Sequence, residues 1–516
     1  MGFNTNHSAI NHPAYPPSRR LWFNIKAGQG RSFCKIFIFQ KNISGIFSYI
    51  LTVCSYLDTI QVRKYAAWIV SEKGANGSMA FNTCSNPSEL KITDIRFADI
   101  IGAPMHCTLM KIETNQGIVG LGEVRDGATR TYAEMLKSRL MGENPCDVDR
   151  LFRRIKQFGY HARQGGGVSG VEVALWDLAG KAYGVPIYRM LGGRFRDRIR
   201  MYCDTDVGGR DTGTAMGNAL KLRMERGFTF LKMDLGISQL RGEPGTLCMP
   251  DGSAYDPVPE EQEFSEYRCR HSNYDLQNIA HPFTAIHVTE HGFDVLEQYV
   301  RDVRAVIGYE VPLAIDHFGH ICVEDCIKLA HRLEKYNLAW LEDMVPWQYT
   351  EQYVRLRNAT TIPICTGEDI YLSDNFEPLL KAGGVSVIHP DVLTIGGILE
   401  LKKTGDLALK YGVAMAVHMA ESPIGCMAAA HACTASENFL ALEYHSADVG
   451  WWDDLVVGRN KPIVENGWIR VDDLPGLGIE NFNDDVIAEH LHPAYPEIWA
   501  STEVWNRCVA NDRLWS

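Results

Sequence analysis

The chain has 516 residues, 46% of them hydrophobic and 22% charged, with a formal net charge of −12 at pH 7. That length allows two or three domains, and the composition is that of a globular protein rather than a disordered or fibrous one. The acidic balance argues against a nucleic-acid partner, no stretch reaches the roughly 18 apolar residues of a membrane helix, and 14 cysteines without a CxxC pair imply reduced thiols and a cytoplasmic setting.

Residues 1–78 carry nine Lys or Arg against two acids, Asp58 and Glu72, and show no strand–helix rhythm. Their one apolar run, Ile43–Leu57, has the length of a signal-peptide core but lies too deep in the chain to be one. Residues 1–88 are therefore expected to form a poorly ordered extension, with Met79 as a natural start. From Leu90 the pattern becomes regular. Ile92–Ile101, Cys107–Thr114 and Val119–Val124 read as strands, the last two joined by the turn Thr114-Asn-Gln-Gly117. Helical patterns follow at Thr131–Met141, Asp147–Gln157 and Val168–Tyr183. In the last, Val171, Ala174, Leu175, Leu178, Ala179 and Ala182 recur at helical spacing. This strand-then-helix module occupies 89–197.

From Arg198 strands and helices alternate. Candidate strands are Ile199–Asp204, Phe230–Leu235, Leu313–Phe318, Ala339–Asp343, Ile364–Glu368, Ser386–Asp391, Ala414–His418 and Leu440–Tyr444. Eight such units over 198–446 point to an α/β fold closed as a parallel (β/α)8 barrel, whose functional residues gather at the carboxyl ends of the strands. An open doubly wound sheet is the competitor, but no glycine-rich phosphate turn follows the first strand. The second unit carries an insertion, 236–292, rich in Gly, Pro, His and Tyr. On this face of a barrel it reads as a lid or an assembly arm. Residues 447–516 return to short turns and strands and are expected to rejoin the first module.

Three of the strands share one feature. Leu-Ala-Ile-Asp316, Ala-Trp-Leu-Glu342 and Cys-Thr-Gly-Glu368 each end an apolar run in a carboxylate, and the three acids are spaced 26 residues apart. That interval suits one strand, one helix and two short loops, so the acids should converge. Converging acids repel unless a cation lies between them, and all-oxygen ligation suits a hard ion such as Mg²⁺. The other strand ends contribute Lys232, Asp234, Asp391, His418 and Glu443. Period-two alternation points Lys232 and Asp234 the same way. Asp391 and His418 end neighbouring strands, so a carboxylate–imidazole contact would orient a general base. The set fits removal of a proton next to a carboxylate: a metal for the developing enediolate, His418 or Lys232 as base, and Glu443, if protonated, donating to the second carboxylate oxygen.

Gly170-Val-Glu-Val-Ala-Leu-Trp-Asp-Leu-Ala-Gly-Lys-Ala-Tyr-Gly-Val-Pro-Ile-Tyr-Arg-Met-Leu-Gly-Gly193 and Pro475-Gly-Leu-Gly478 resemble the signature helix and the carboxyl-terminal turn of the enolase superfamily, mandelate racemase subgroup. The likeness runs from about Leu90 to Pro475. It implies an α+β N-terminal capping domain over a modified (β/α)8 TIM barrel. Asp316, Glu342 and Glu368 would be the metal ligands, Asp391 and His418 a dyad, and Glu443 the last-strand acid. Specificity loops would lie near Asp99–His106 and Arg125–Thr131, with His106 among the substrate-binding candidates. The subgroup's Lys-x-Lys on the second barrel strand is here Lys232-Met-Asp234, which removes the second base that racemisation uses. The resemblance then implies a Mg²⁺-dependent dehydratase of an aldonate or aldarate, giving a 2-keto-3-deoxy acid. His317 or His320 would serve as acid or substrate contact. A racemase, epimerase or cycloisomerase working through the same enediolate is the alternative. The expected partner is a small carboxylate substrate, and the expected assembly a homo-oligomer.

Overall fold

The computed structural model describes residues 85–206, 208, 210–240, 243–248, 287–316 and 321–508. The expectations for 1–84, for most of the 236–292 insertion, and for His317 and His320 lie outside these residues.

Strands β1 (Ile92–Ile100), β2 (Cys107–Thr114) and β3 (Val119–Val124) form an antiparallel sheet in that order. The expected helix at 131–141 is two single turns, Thr131–Glu134 and Lys137–Leu140. Between them the backbone tightens to a three-residue bond, Leu136 N–H to the Ala133 carbonyl. This leaves the Lys137 ammonium bonded to Asp94 on β1 and, at 2.6 Å, to Thr502. Helix α1 (Val148–Ile155) buries Val148, Leu151, Phe152 and Ile155, one stripe at helical spacing. Helix α2 (Gly167–Tyr183) is buried on nearly every side, because it is sandwiched between the sheet and the next domain. Its approach to β3 needs glycine: a Cβ on Gly122 would lie 2.4 Å from the Gly170 carbonyl oxygen.

The barrel follows. In chain order it comprises β4 (Arg198–Cys203), α3 (Gly213–Glu225), β5 (Leu231–Asp234), α4 (Glu290–Ile307), β6 (Leu313–Asp316), α5 (Val323–Leu333), β7 (Leu341–Glu342), α6 (Thr350–Ala359), β8 (Ile364–Thr366), α7 (Ser373–Lys381), β9 (Val387–Ile388), α8 (Ile398–Lys410), β10 (Ala414–Val417), α9 (Pro423–Thr434) and β11 (Phe439–Tyr444). Strands β4 to β11 are parallel neighbours, and Leu442 pairing with Met201 closes the ring. The eight expected strands are all present, most of them shorter than the apolar runs suggest. A late hairpin, β12 (Val464–Glu465) and β13 (Trp468–Arg470), adds antiparallel to β4. Beyond it, the Leu477 N–H donates to Asp177 of α2 at 2.9 Å.

Two buried glutamates join the two parts. Glu123, on β3, accepts from the Ser422 and Gly425 N–H groups at 3.1 and 3.2 Å, at the start of α9. Glu172, on α2, accepts from the Ile398 and Leu399 N–H groups at 2.7 and 3.1 Å, at the start of α8. The first turn of a helix leaves N–H groups without partners and carries the positive end of its dipole. Each carboxylate answers both needs and fixes the capping sheet over the barrel's carboxyl-end mouth.

Candidate active site

One interior layer of the barrel is Tyr202, Phe230, Ala314, Trp340, Cys365, Val387, Ala416 and Ala441, one residue from each strand or its lead-in. Alternation repeats the inward direction two residues on. There stand Asp204, Lys232, Asp316, Glu342, Gly367, His389, His418 and Glu443. Apart from the glycine, this second layer is wholly polar or charged, and these side chains are almost entirely buried. At strand eight the register breaks. Gly367 has φ +146°, and a Cβ there would come within 2.7 Å of Phe376; the turn it makes passes the acid on to Glu368.

Lys232 is the hub. Its Nζ lies 3.1 Å from Asp316 Oδ2, 2.8 Å from Glu342 Oε1 and 2.7 Å from Glu443 Oε1. Burial alone would favour the neutral amine, but these carboxylates hold its pKa well above the ordinary lysine value. In this setting Lys232 is an ammonium without a lone pair to accept a proton, which corrects its place as an alternative base. Asp316 and Glu342 are each pushed up to about 7, by burial and then by the neighbouring acids, despite Lys232. Burial, Asp204 and Asp316 likewise raise Asp234 well above the usual carboxylate range. The nearby Lys232 ammonium pulls the other way but does not offset them.

The dyad is present. His418 Nδ1 is 2.6 Å from Asp391 Oδ2, and the two residues form a parallel bridge beyond β9 and β10. His418 Nε2 lies 3.3 Å from Glu368 Oε2 and 3.8 Å from Glu443 Oε2. Although burial opposes it, the Arg125 guanidinium and the hydrogen bond from His418 hold Asp391 below the usual carboxylate range. Glu443 departs from its expected role. Burial would raise it, but Lys232, His418 and His445 outweigh burial and keep it well below its ordinary value. It is an anionic acceptor, not a protonated donor.

Several residues at this mouth escaped the sequence reading. Asp204 and His389 stand on the inward register. The His389 Nδ1 is 3.2 Å from Glu342, and its Nε2 is 2.7 Å from the Tyr202 hydroxyl and 3.3 Å from Glu443. His445, two residues beyond Glu443, is 3.3 Å from Asp204 and 3.2 Å from Glu443. Despite burial these acids raise it to about 9. Period-two counting from Asp391 and Glu443 would have found His389 and His445, and Asp204 ends the first expected barrel strand. Arg125 and Arg163 carry no such signal, because they sit on capping-domain loops. Arg125 is buried against Glu421 at 3.1 Å, Thr394 at 3.3 Å, Asp391 at 3.5 Å and His418 Nδ1 at 3.5 Å, and also bonds Asp126. Arg163 bonds Glu368 and, at 3.0 Å, Asp369. The 125–131 loop thus does reach the dyad. His106 does not: it bonds Asp99 at 3.0 Å and stacks on His492, and no contact joins it to the acid cluster.

The donor set fits a hard cation. Asp316, Glu342 and Asp343 offer oxygens within 4.8 Å of one another, and their mutual repulsion is what a divalent ion would relieve. Asp343 replaces Glu368 in this close group, because Glu368 is turned toward Arg163 and His418. Asp343 has φ +44° beyond the end of β7, so strand alternation does not reveal it. The three expected ligands are thus neighbours, with Glu368 swung aside.

Comparison with known proteins agrees with this architecture. A family profile described as enolase C-terminal domain-like matches residues 216–485, and one for the mandelate racemase / muconate lactonizing enzyme N-terminal domain matches 101–192. The chain is similar to a D-xylonate dehydratase of Haloferax volcanii, 31% identical over 410 residues, covering 78% of this chain and 89% of the relative. It is 28% identical over 394 residues to a D-galactonate dehydratase of Ralstonia pickettii, covering 73% of this chain and 89% of the relative. A crystal structure of a mandelate racemase/muconate lactonizing enzyme-like protein from Rubrobacter xylanophilus superposes with a TM-score of 0.67 at 28% identity, covering 80% of this chain and 100% of that one. With the barrel, the capping sheet and both profiles in agreement, the chain belongs to the mandelate racemase/muconate lactonizing enzyme family of the enolase superfamily.

Proposed function

We propose that the protein is a hydro-lyase that dehydrates a sugar acid, an aldonate or aldarate, to a 2-keto-3-deoxy acid. The observation that carries the reading is the Asp391–His418 dyad, with His418 in the same buried layer as Asp316 and Glu342 and its Nε2 3.3 Å from Glu368. The dehydratase names of the D-xylonate and D-galactonate relatives support it. Asp316, Glu342 and Glu368, with Asp343 close by, would hold Mg²⁺, which when bound supplies positive charge to the substrate carboxylate and makes its α-carbon more acidic.

The chain's own residues do the rest. Asp391 takes the Nδ1 proton of His418 in a hydrogen bond, so Nε2 is the atom that accepts the α-proton. The C2–H pair becomes the C2–C3 double bond as the C3–O bond breaks. The hydroxyl leaves as water with a proton from an acid at the mouth. His445, raised to about 9 and so protonated at neutral pH, is a described group able to give one; His317 and His320 remain proposed as further acids or substrate contacts. The resulting enol tautomerises to the keto acid. Lys232 and the anionic Glu443 hold the charge balance around this centre. We further infer a homo-oligomer working in the cytoplasm; among the described residues no helix is long and apolar enough to cross a membrane.

The test is a panel of aldonates and aldarates, including D-xylonate and D-galactonate, incubated with Mg²⁺ and assayed for keto acid with semicarbazide. At least one should yield it. Exchange of the α-proton without keto acid from any member would overturn dehydration.

A further inference from the structure

A second cluster of metal-ligating side chains lies outside the acid layer. His287, Cys322 and Asp325 offer one ligand atom each within 4.8 Å of one another. They come from two separate elements. His287 belongs to a two-residue antiparallel pair with Cys248, at the point where the chain returns from the insertion. Cys322 and Asp325 open helix α5, just past the β6 strand end. The His287 Nδ1 is 3.2 Å from Asp325 Oδ2, and Cys322 Sγ is 3.7 Å from the same nitrogen. Tetrahedral zinc, with bonds of about 2.0–2.3 Å to N, O and S, sets its ligand atoms roughly 3.3–3.7 Å apart. The two spacings at His287 Nδ1, 3.2 Å to Asp325 and 3.7 Å to Cys322, lie close to that range, and all three ligand atoms fall within 4.8 Å of one another.

The surroundings also match a ligand set. Cys322 and Asp325 are buried while His287 is exposed, so the cluster is reachable from solvent through the imidazole side. Asp325 is held in place by two further donors, the Val288 N–H at 3.1 Å on Oδ2 and Lys328 at 3.4 Å on Oδ1. Outer contacts of this kind orient a ligating carboxylate. One thiol, one imidazole and one carboxylate suit a borderline transition ion far better than Mg²⁺. We propose that His287, Cys322 and Asp325 form a second metal site, for Zn²⁺ or a similar ion, that clips the base of the insertion onto α5. Binding displaces the thiol proton to solvent, leaves Cys322 as thiolate, and keeps a fourth position for water.

The test uses full-length protein stripped of metal, saturated with Mg²⁺ to occupy the acid layer, and titrated with Co²⁺. A thiolate bound to Co²⁺ absorbs strongly in the near ultraviolet, and carboxylates do not. One equivalent should develop that band in the wild type, Zn²⁺ should bleach it, and C322S should lose it while still dehydrating its substrate. H287A, which alters an exposed side chain, should weaken Co²⁺ binding at least tenfold. No band in the wild type, or an undiminished band in C322S, would overturn the proposal.

Discussion

His418 is held from one side by Asp391 and faces Glu368 and Glu443 on the other, so its ring is oriented before any substrate arrives. His418→Asn keeps a hydrogen-bonding group toward Asp391 and removes the proton acceptor. It should lower kcat by about 10²–10⁴-fold with little change in KM, checked by steady-state keto-acid formation. Lys232 gives a different outcome. Lys232→Met leaves three buried carboxylates without their shared cation, and breaking such a pairing costs about 3–5 kcal/mol. Urea unfolding at neutral pH should show that loss. This scale also sets what could be read from the chain. Asp391 and His418 were legible because each ends an apolar run. His389 and His445 were equally regular, two residues from Asp391 and Glu443, but lie beside a stronger signal. The loop from Arg125 to Thr131 was named only through the family resemblance, since it has no period of its own to show that Arg125 reaches the dyad.

At the scale of elements, the capping sheet is joined to the barrel by carboxylates at helix starts. Glu172→Gln keeps the shape and weakens the acceptor for the Ile398 and Leu399 N–H groups. Burial pushes Glu172 up to about 8, so the charged acceptor is present only above that pH; at pH 9 a loss of about 1–3 kcal/mol is expected for a buried charged hydrogen bond, seen as a lower denaturant midpoint. Helix α9 supplies a pH effect. Its His431 is stacked beside Tyr188 and accepts that residue's N–H at 3.3 Å, and burial lowers its pKa to about 3. The folded state therefore keeps it neutral, while the unfolded chain protonates it below the ordinary value of 6.5. Its contribution is full above 6.5 and is lost as pH falls toward 3. Between pH 7 and pH 5 the wild type should lose about 2 kcal/mol more than His431→Asn, at 1.36 kcal/mol per pKa unit. Paired urea titrations at the two pH values measure that difference. Strand ends were the least legible feature here. The apolar runs continue past the last ladder bond into the loops that carry Glu368 and Asp391, so run length overstates strand length.

For the whole molecule, the barrel and its cap were readable because strand–helix alternation and the 26-residue spacing of Asp316, Glu342 and Glu368 are properties of the chain alone. What the chain could not show was which way each acid turns. Glu368 meets Arg163, a residue 205 positions away, and only the docking of two domains creates that contact. Closure of the barrel gathers the acids at its strand ends into a layer that repels itself. Mg²⁺ should therefore raise the melting temperature, with a rise that grows as the logarithm of its concentration above Kd, and Glu342→Gln should abolish that rise; differential scanning calorimetry with and without Mg²⁺ decides it.

The most direct measurement follows the α-hydrogen. A sugar acid that the protein turns over is labelled with deuterium at C2 and incubated with Mg²⁺ and either wild type or His418→Asn, and product is followed by NMR. Wild type should release the label, form a 2-keto-3-deoxy acid and show a primary isotope effect, whereas His418→Asn should do none of these at a comparable rate. Turnover by His418→Asn equal to wild type, with an undiminished primary isotope effect, would contradict proton abstraction by this histidine.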